Sequence, residues 1–95
     1  MIEIFIEKKA EKTLEEIYKS NKKVAKKIQL FIDERLPKAE NPCLLPNAKK
    51  MQNYENCYRW RLGDYRLIGI VIDGKPRIIQ IIKIAKRDES TYKGL

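Results

Sequence analysis

Residues 57–86, CYRWRLGDYRLIGIVIDGKPRIIQIIKIAK, decide the fold. Two short punctuations, Gly63-Asp64 and Asp73-Gly74, divide three runs rich in Ile, Tyr, Trp, Arg and Lys. Gly-Asp and Asp-Gly are both signals for two-residue hairpin turns. The stretch therefore reads as a three-stranded antiparallel meander over 57–62, 65–72 and 76–85. Its last run, around IIQIIKI, is apolar on both sides. That suits a central strand flanked on its free side by another strand.

The rest of the chain supplies that partner and a cover. Ile2, Ile4 and Ile6 alternate with Glu3 and Phe5, the period of a strand. Leu14, Ile17 and Tyr18 share one helical face over residues 8–19. Ser20-Asn21 offers a break and an N-cap. Val24, Ile28, Phe31, Ile32 and Arg35 then follow at helical spacing, and Pro37 is expected to end this second helix at about Leu36. Residues 38–50, with Pro42 and Pro46, read as a loop ending in Lys49-Lys50. The expected fold is α+β, ordered strand–helix–helix–strand–strand–strand. A small, mostly antiparallel sheet carries a two-helix hairpin on one face, and residues 1–95 form a single domain.

Tight turns fix which residues lie side by side. A two-residue turn at Gly63-Asp64 sets Leu62 opposite Tyr65, Arg61 opposite Arg66 and Trp60 opposite Leu67. Tyr58, Trp60, Leu62, Tyr65 and Leu67 then form a core face beneath the helices. Arg59, Arg61 and Arg66 share the other face. A second tight turn at Asp73-Gly74 sets Arg66 opposite Ile81, with Lys83 beside it and Arg87 further along. Ile68, Ile70, Ile79 and Ile81 would share this arginine face and need a cover, from the chain's own tail or from a protein partner. One extra residue in either turn would exchange the faces and dissolve the cluster.

The charge agrees with a polyanion partner. The net charge is +8, from 21 basic and 13 acidic residues, and most of the excess lies beyond residue 43. Such a field suggests nucleic acid first; general solubility is the alternative. Arginine forks match phosphate oxygens in pairs. Lys22, Lys23, Lys26 and Lys27 form a further basic stripe on the second helix, a pattern more often simply solvated. The chain has no His, which argues against most metal sites and against His-based acid–base chemistry. No cofactor is implied. Cys43 and Cys57 read as free thiols in a cytoplasmic protein. There is no apolar run of roughly 20 residues that would span a membrane.

The Tyr-Arg-x-Arg strand, the Gly-Asp-Tyr-Arg turn, the acidic-Gly turn, the apolar strand and the Lys-Arg…Tyr ending together resemble the RelE/ParE toxin superfamily. The resemblance covers essentially the whole chain. It implies the toxin of a type II toxin–antitoxin system, partnered by a cognate antitoxin. In the RelE branch, which the full basic constellation favours, it implies a ribosome-dependent endoribonuclease that cuts mRNA in the ribosomal A site. In the ParE branch it implies a non-enzymatic inhibitor of DNA gyrase; an inactive antitoxin-binding member is a third possibility. Carried over by position, Arg59 and Arg61 stand where the best-known member has lysines. Arg66 stands at the arginine that stabilises the transition state and Arg87 at the proposed general acid. Tyr92 stands near a tyrosine that stacks on or orients the base. Lys49, Lys50, Lys83 and Lys86 are expected to contact the nucleic acid.

Overall fold

The computed structural model describes residues 2–52, 54–74 and 77–86. Strand β1 (Glu3–Ile6) leads through a single residue into helix α1 (Lys8–Ser20). The chain reverses at Asn21, whose side chain accepts a hydrogen bond from the Val24 amide at 3.3 Å and caps helix α2 (Lys22–Leu30). Helical structure continues past Leu30. Residues Phe31–Arg35 widen into a π-helical turn, in which the Leu36 amide reaches the Phe31 carbonyl, and a last turn spans Leu36–Lys38.

This corrects the expected stop before Pro37. Pro37 has no amide hydrogen, and its ring crowds the preceding turn of a regular α-helix. The wider turn accommodates it, and the helical segment closes two residues later than expected.

Residues expected to be loop contain an edge strand. A short 3-10 turn, Pro42–Leu44, is capped by the Asn41 side chain, which accepts from the Cys43 amide at 3.1 Å. Strand β2 (Ala48–Lys50) then pairs antiparallel with β3 (Cys57–Leu62). Strands β4 (Tyr65–Val71) and β5 (Ile78–Lys86) complete a five-stranded sheet in the order β1-β5-β4-β3-β2. As expected, β5 is flanked on its free side by β1, and that pair runs parallel.

The two hairpins differ. Between β3 and β4 the expected register holds: Leu62 pairs with Tyr65, Arg61 with Arg66 and Trp60 with Leu67. Gly63 sits at φ +60°, the left-handed region that such a turn demands. Between β4 and β5 the expected register fails. The connection runs from Ile72 to Arg77 and begins with a 3-10 turn, so Val71 pairs with Ile79. Further along, the ladder moves one residue on β4 and two on β5. Gly69 pairs with Ile81 but Ile68 pairs with Lys83, leaving Ile82 as a bulge. Arg66 therefore lies opposite Ala85, not Ile81.

One sheet face meets the helices. Trp60, Leu67, Ile79, Ile81 and Ile84 pack with Leu14, Ile28, Phe31, Ile32 and Leu36 in the main core. Trp60 has no exposure, and its indole N–H donates to the Pro42 carbonyl at 2.9 Å. Gly69 lies directly against it: a Cβ there would come within 2.9 Å of the indole ring. Ile79 and Ile81 thus belong to the helix face, contrary to expectation. Ile68 does lie on the other face, but the chain covers it with Met51, Cys57, Tyr54 and Ile82. The Met51 amide donates to the Cys57 carbonyl at 2.9 Å and the Val71 amide to the Asn56 carbonyl at 2.8 Å, holding that cover in place.

Candidate nucleic-acid interface

The face away from the helices collects the cations. Residues directly opposite in an antiparallel ladder share a face, so the registers can be read as rows. One row runs Lys49, Arg59, Ile68, Lys83 across β2, β3, β4 and β5. The next, nearer the Gly63-Asp64 turn, runs Arg61, Arg66, Ala85 across β3, β4 and β5. Rows two residues apart lie about 7 Å from each other, and the first row spans three strand spacings, about 14 Å. That footprint suits a few consecutive phosphates rather than a small ion.

Five basic side chains therefore share one sheet face, with Ile68 between Arg59 and Lys83 lying under its cover of Met51 and Tyr54, and Ala85 buried in line with Arg66. Arg61 and Lys49 are exposed; Arg59, Arg66 and Lys83 are half-buried. Lys83 arrives there for a reason the sequence concealed. The longer β4–β5 connection exchanges the faces of β5, and the bulge at Ile82 exchanges them back.

Lys49 joins the site through β2, which brings it directly opposite Arg59. Lys50 pairs with Tyr58 and Lys86 with Tyr65. Both partners belong to the helix-covered face, so register sets these two lysines apart from the five. Arg87 and Tyr92 lie outside the described residues.

The surroundings do not favour other chemistries. Burial pushes the Cys43 and Cys57 thiols up from their ordinary range, which keeps them protonated and poorly nucleophilic. The Cys57 sulfur lies 3.4 Å from the Met51 sulfur, inside the small second core. Among the described residues no group of His, Cys, Asp and Glu could hold a metal ion. Nor is any described helix long and apolar enough to cross a membrane.

Sequence reasoning missed Asn47. Its carbonyl accepts from the Arg61 amide at 3.0 Å, and its side-chain Nδ2 donates to the Arg61 carbonyl at 2.9 Å. A lone Asn in a Pro-containing loop carries no sequence signal of such a contact.

Comparison with known proteins matches this architecture. The RelB–RelE antitoxin–toxin complex of Methanococcus jannaschii contains a chain similar at 25% identity and a TM-score of 0.68, over 87% of this chain and 89% of that one. The archaeal RelE–RelB complex of Pyrococcus horikoshii gives 25% identity and 0.57, over 94% and 98%. The YoeB–YefM complex of Staphylococcus aureus gives 23% and 0.62, over 88% and 94%. No curated protein matches. A family model, described as the ParE toxin of the type II toxin–antitoxin system parDE, matches residues 4–91. With that match over nearly its whole length, and a RelE-like fold beneath it, the chain belongs to the ParE toxin family within the RelE/ParE superfamily of type II toxins.

Proposed function

We propose that this toxin is a ribosome-dependent endoribonuclease that cuts mRNA in the ribosomal A site and is held inactive by a cognate antitoxin. The observation that supports this most is the Arg61–Arg66 pair, set directly opposite each other and flanked by Arg59, Lys49 and Lys83. Arginine forks at strand spacing match phosphate oxygens in pairs. The structural relatives were solved as toxin–antitoxin complexes, which supports the antitoxin as partner.

The chemistry follows from RNA. The 2′-oxygen attacks the adjacent phosphorus and the bond to the 5′-oxygen breaks. The products carry a 2′,3′-cyclic phosphate and a 5′-hydroxyl. Negative charge grows on the phosphoryl oxygens, and cations held in place beforehand stabilise it. In this reading Arg66 binds those oxygens, while Arg59, Lys49 and Lys83 hold flanking phosphates. Arg87, at the position the resemblance gives to the general acid, hydrogen-bonds the leaving oxygen and offsets its charge while water delivers the proton, and Tyr92 orients a base. Lys50 and Lys86 add to the field from the margins. As an arginine, Arg61 cannot serve as the base. It therefore acts on the 2′-hydroxyl electrostatically, and the released proton passes to water, RNA or the ribosome.

The test is primer extension on mRNA from programmed ribosomes incubated with the protein. Cleavage within the A-site codon is expected. Arg61→Ala should lower it about 100-fold or more, on the scale of losing one preorganised electrostatic contact. Intact mRNA would overturn the reading, and undiminished cleavage by Arg61→Ala would overturn the site. The family model is described as a ParE toxin, and resemblance to that branch implies a second reading, inhibition of DNA gyrase without cleavage. A supercoiling assay separates that from an inactive, antitoxin-binding member.

A further inference from the structure

We infer that Asn47 is a positioning residue for Arg61, an inference that rests on the endoribonuclease reading. Arg61 is the next-to-last residue of β3, beside a tight turn and directly opposite Arg66. On the other side of β3, the ladder to β2 covers Tyr58, Arg59 and Trp60 and stops short of Arg61.

Asn47 continues the ladder by one step with different atoms. Its main-chain carbonyl takes the Arg61 amide at 3.0 Å. Its side-chain amide, at 2.9 Å, donates to the Arg61 carbonyl, the acceptor that a main-chain N–H serves in an ordinary pair. Both backbone polar groups of Arg61 on this side are thus held by one residue.

The loop is itself fixed to the core. Trp60 donates to the Pro42 carbonyl at 2.9 Å, and the Ala48 amide donates to the Leu45 carbonyl at 2.9 Å. Asn47 therefore ties the strand end to the same anchor that seats Trp60.

The arrangement costs stability elsewhere. The other amide atom of Asn47, Oδ1, is buried and accepts no hydrogen bond among the described residues. A buried orphan acceptor is a penalty that a smaller apolar side chain would avoid. What the asparagine gives in return is the fixed Arg61 backbone, the point from which its side chain reaches over the cleft.

A double-mutant cycle on ribosome-bound mRNA tests this. Asn47→Ala should lower single-turnover cleavage about tenfold in the wild-type background and have no further effect in Arg61→Ala. Asn47→Asp, the same shape without the donor, should behave as Asn47→Ala does. Equal losses in both backgrounds would show a general structural role and overturn the inference. Full activity in either Asn47 variant would do the same. Amide hydrogen exchange supplies a readout independent of cleavage. In Asn47→Ala the Arg61 amide should exchange at least tenfold faster while the Trp60 amide stays protected. Unchanged Arg61 exchange, or a uniform rise across β3, overturns the clamp. Failure of the wild-type protein to cut mRNA would instead overturn the endoribonuclease reading, with exchange still reporting on the clamp.

Discussion

On the helix side of the sheet, Trp60, Leu67, Ile79 and Ile81 have no exposure and lie against two amphipathic helices. On the other side, the same strands carry Arg59, Arg61, Arg66 and Lys83, with Lys49 beside them. The first face contributes free energy to folding through apolar burial. The second gathers basic side chains at strand spacing and buries little apolar surface. One face therefore supports the other: a fully packed core behind the sheet gives the basic side chains a rigid floor, which loops would not.

That asymmetry can be broken from either side. The largest stability effect is expected from Trp60→Ala, which removes the fully buried indole and its bond to Pro42. Loss of about 3–5 kcal/mol in a denaturant titration is expected. A change under about 1 kcal/mol would mean that the helix face does not hold the sheet. Arg66→Ala should act mainly on binding. Stability should change far less than in Trp60→Ala, because no core side chain is removed. RNA affinity should fall, and its dependence on salt should weaken by roughly one phosphate contact. A variant equally destabilised and equally salt-dependent would contradict the division between the faces.

The smallest effect concerns pH. Burial raises the Cys43 and Cys57 thiols, and burial also raises the Tyr58 hydroxyl, with a further contribution from Cys43. Groups raised in the folded state add stability that is complete below their unfolded pKa and is lost as pH rises through the folded one. Stability should therefore hold through neutrality and decline above about pH 8.5, where unfolded thiols begin to ionise. In Cys57→Ser the decline should be shallower. An unchanged slope would show that the thiol is not desolvated.

Much of this was legible in the sequence. The apolar face of Tyr58, Trp60 and Leu62, the Arg61–Arg66 register and the place of β1 beside β5 follow from alternation and from one glycine-containing turn. What failed was the second turn. Asp73-Gly74 carries the same signal as Gly63-Asp64, yet the chain runs on to Arg77 before pairing again. Nothing local distinguishes the two, because hairpin length depends on where the strands find partners. The bulge at Ile82 is hidden for the same reason: IIQIIKI carries one polar residue in each of its two alternating phases, Gln80 and Lys83, so alternation does not choose a face. Strand β2 escaped because three residues beside two prolines carry no periodicity. Its pairing comes from the free edge of β3.

Strand β5 can also be viewed in terms of insertions and deletions. With a plain alternation continued from Ile79 and Ile81, residue 83 would point at the helices, and a lysine would enter the core. The supernumerary Ile82 prevents this, placing Lys83 outward and Ile84 inward. The Arg77 carbonyl, at the entry to β5, accepts from the Glu3 amide at 2.9 Å, so β5 is tied to β1 from its start. An added residue between Ile82 and Lys83 would exchange a core isoleucine for a charge. Removing Ile82 itself would leave every face as it is. The β5 wall of the cleft thus tolerates the loss of its bulge but not a further insertion beside it.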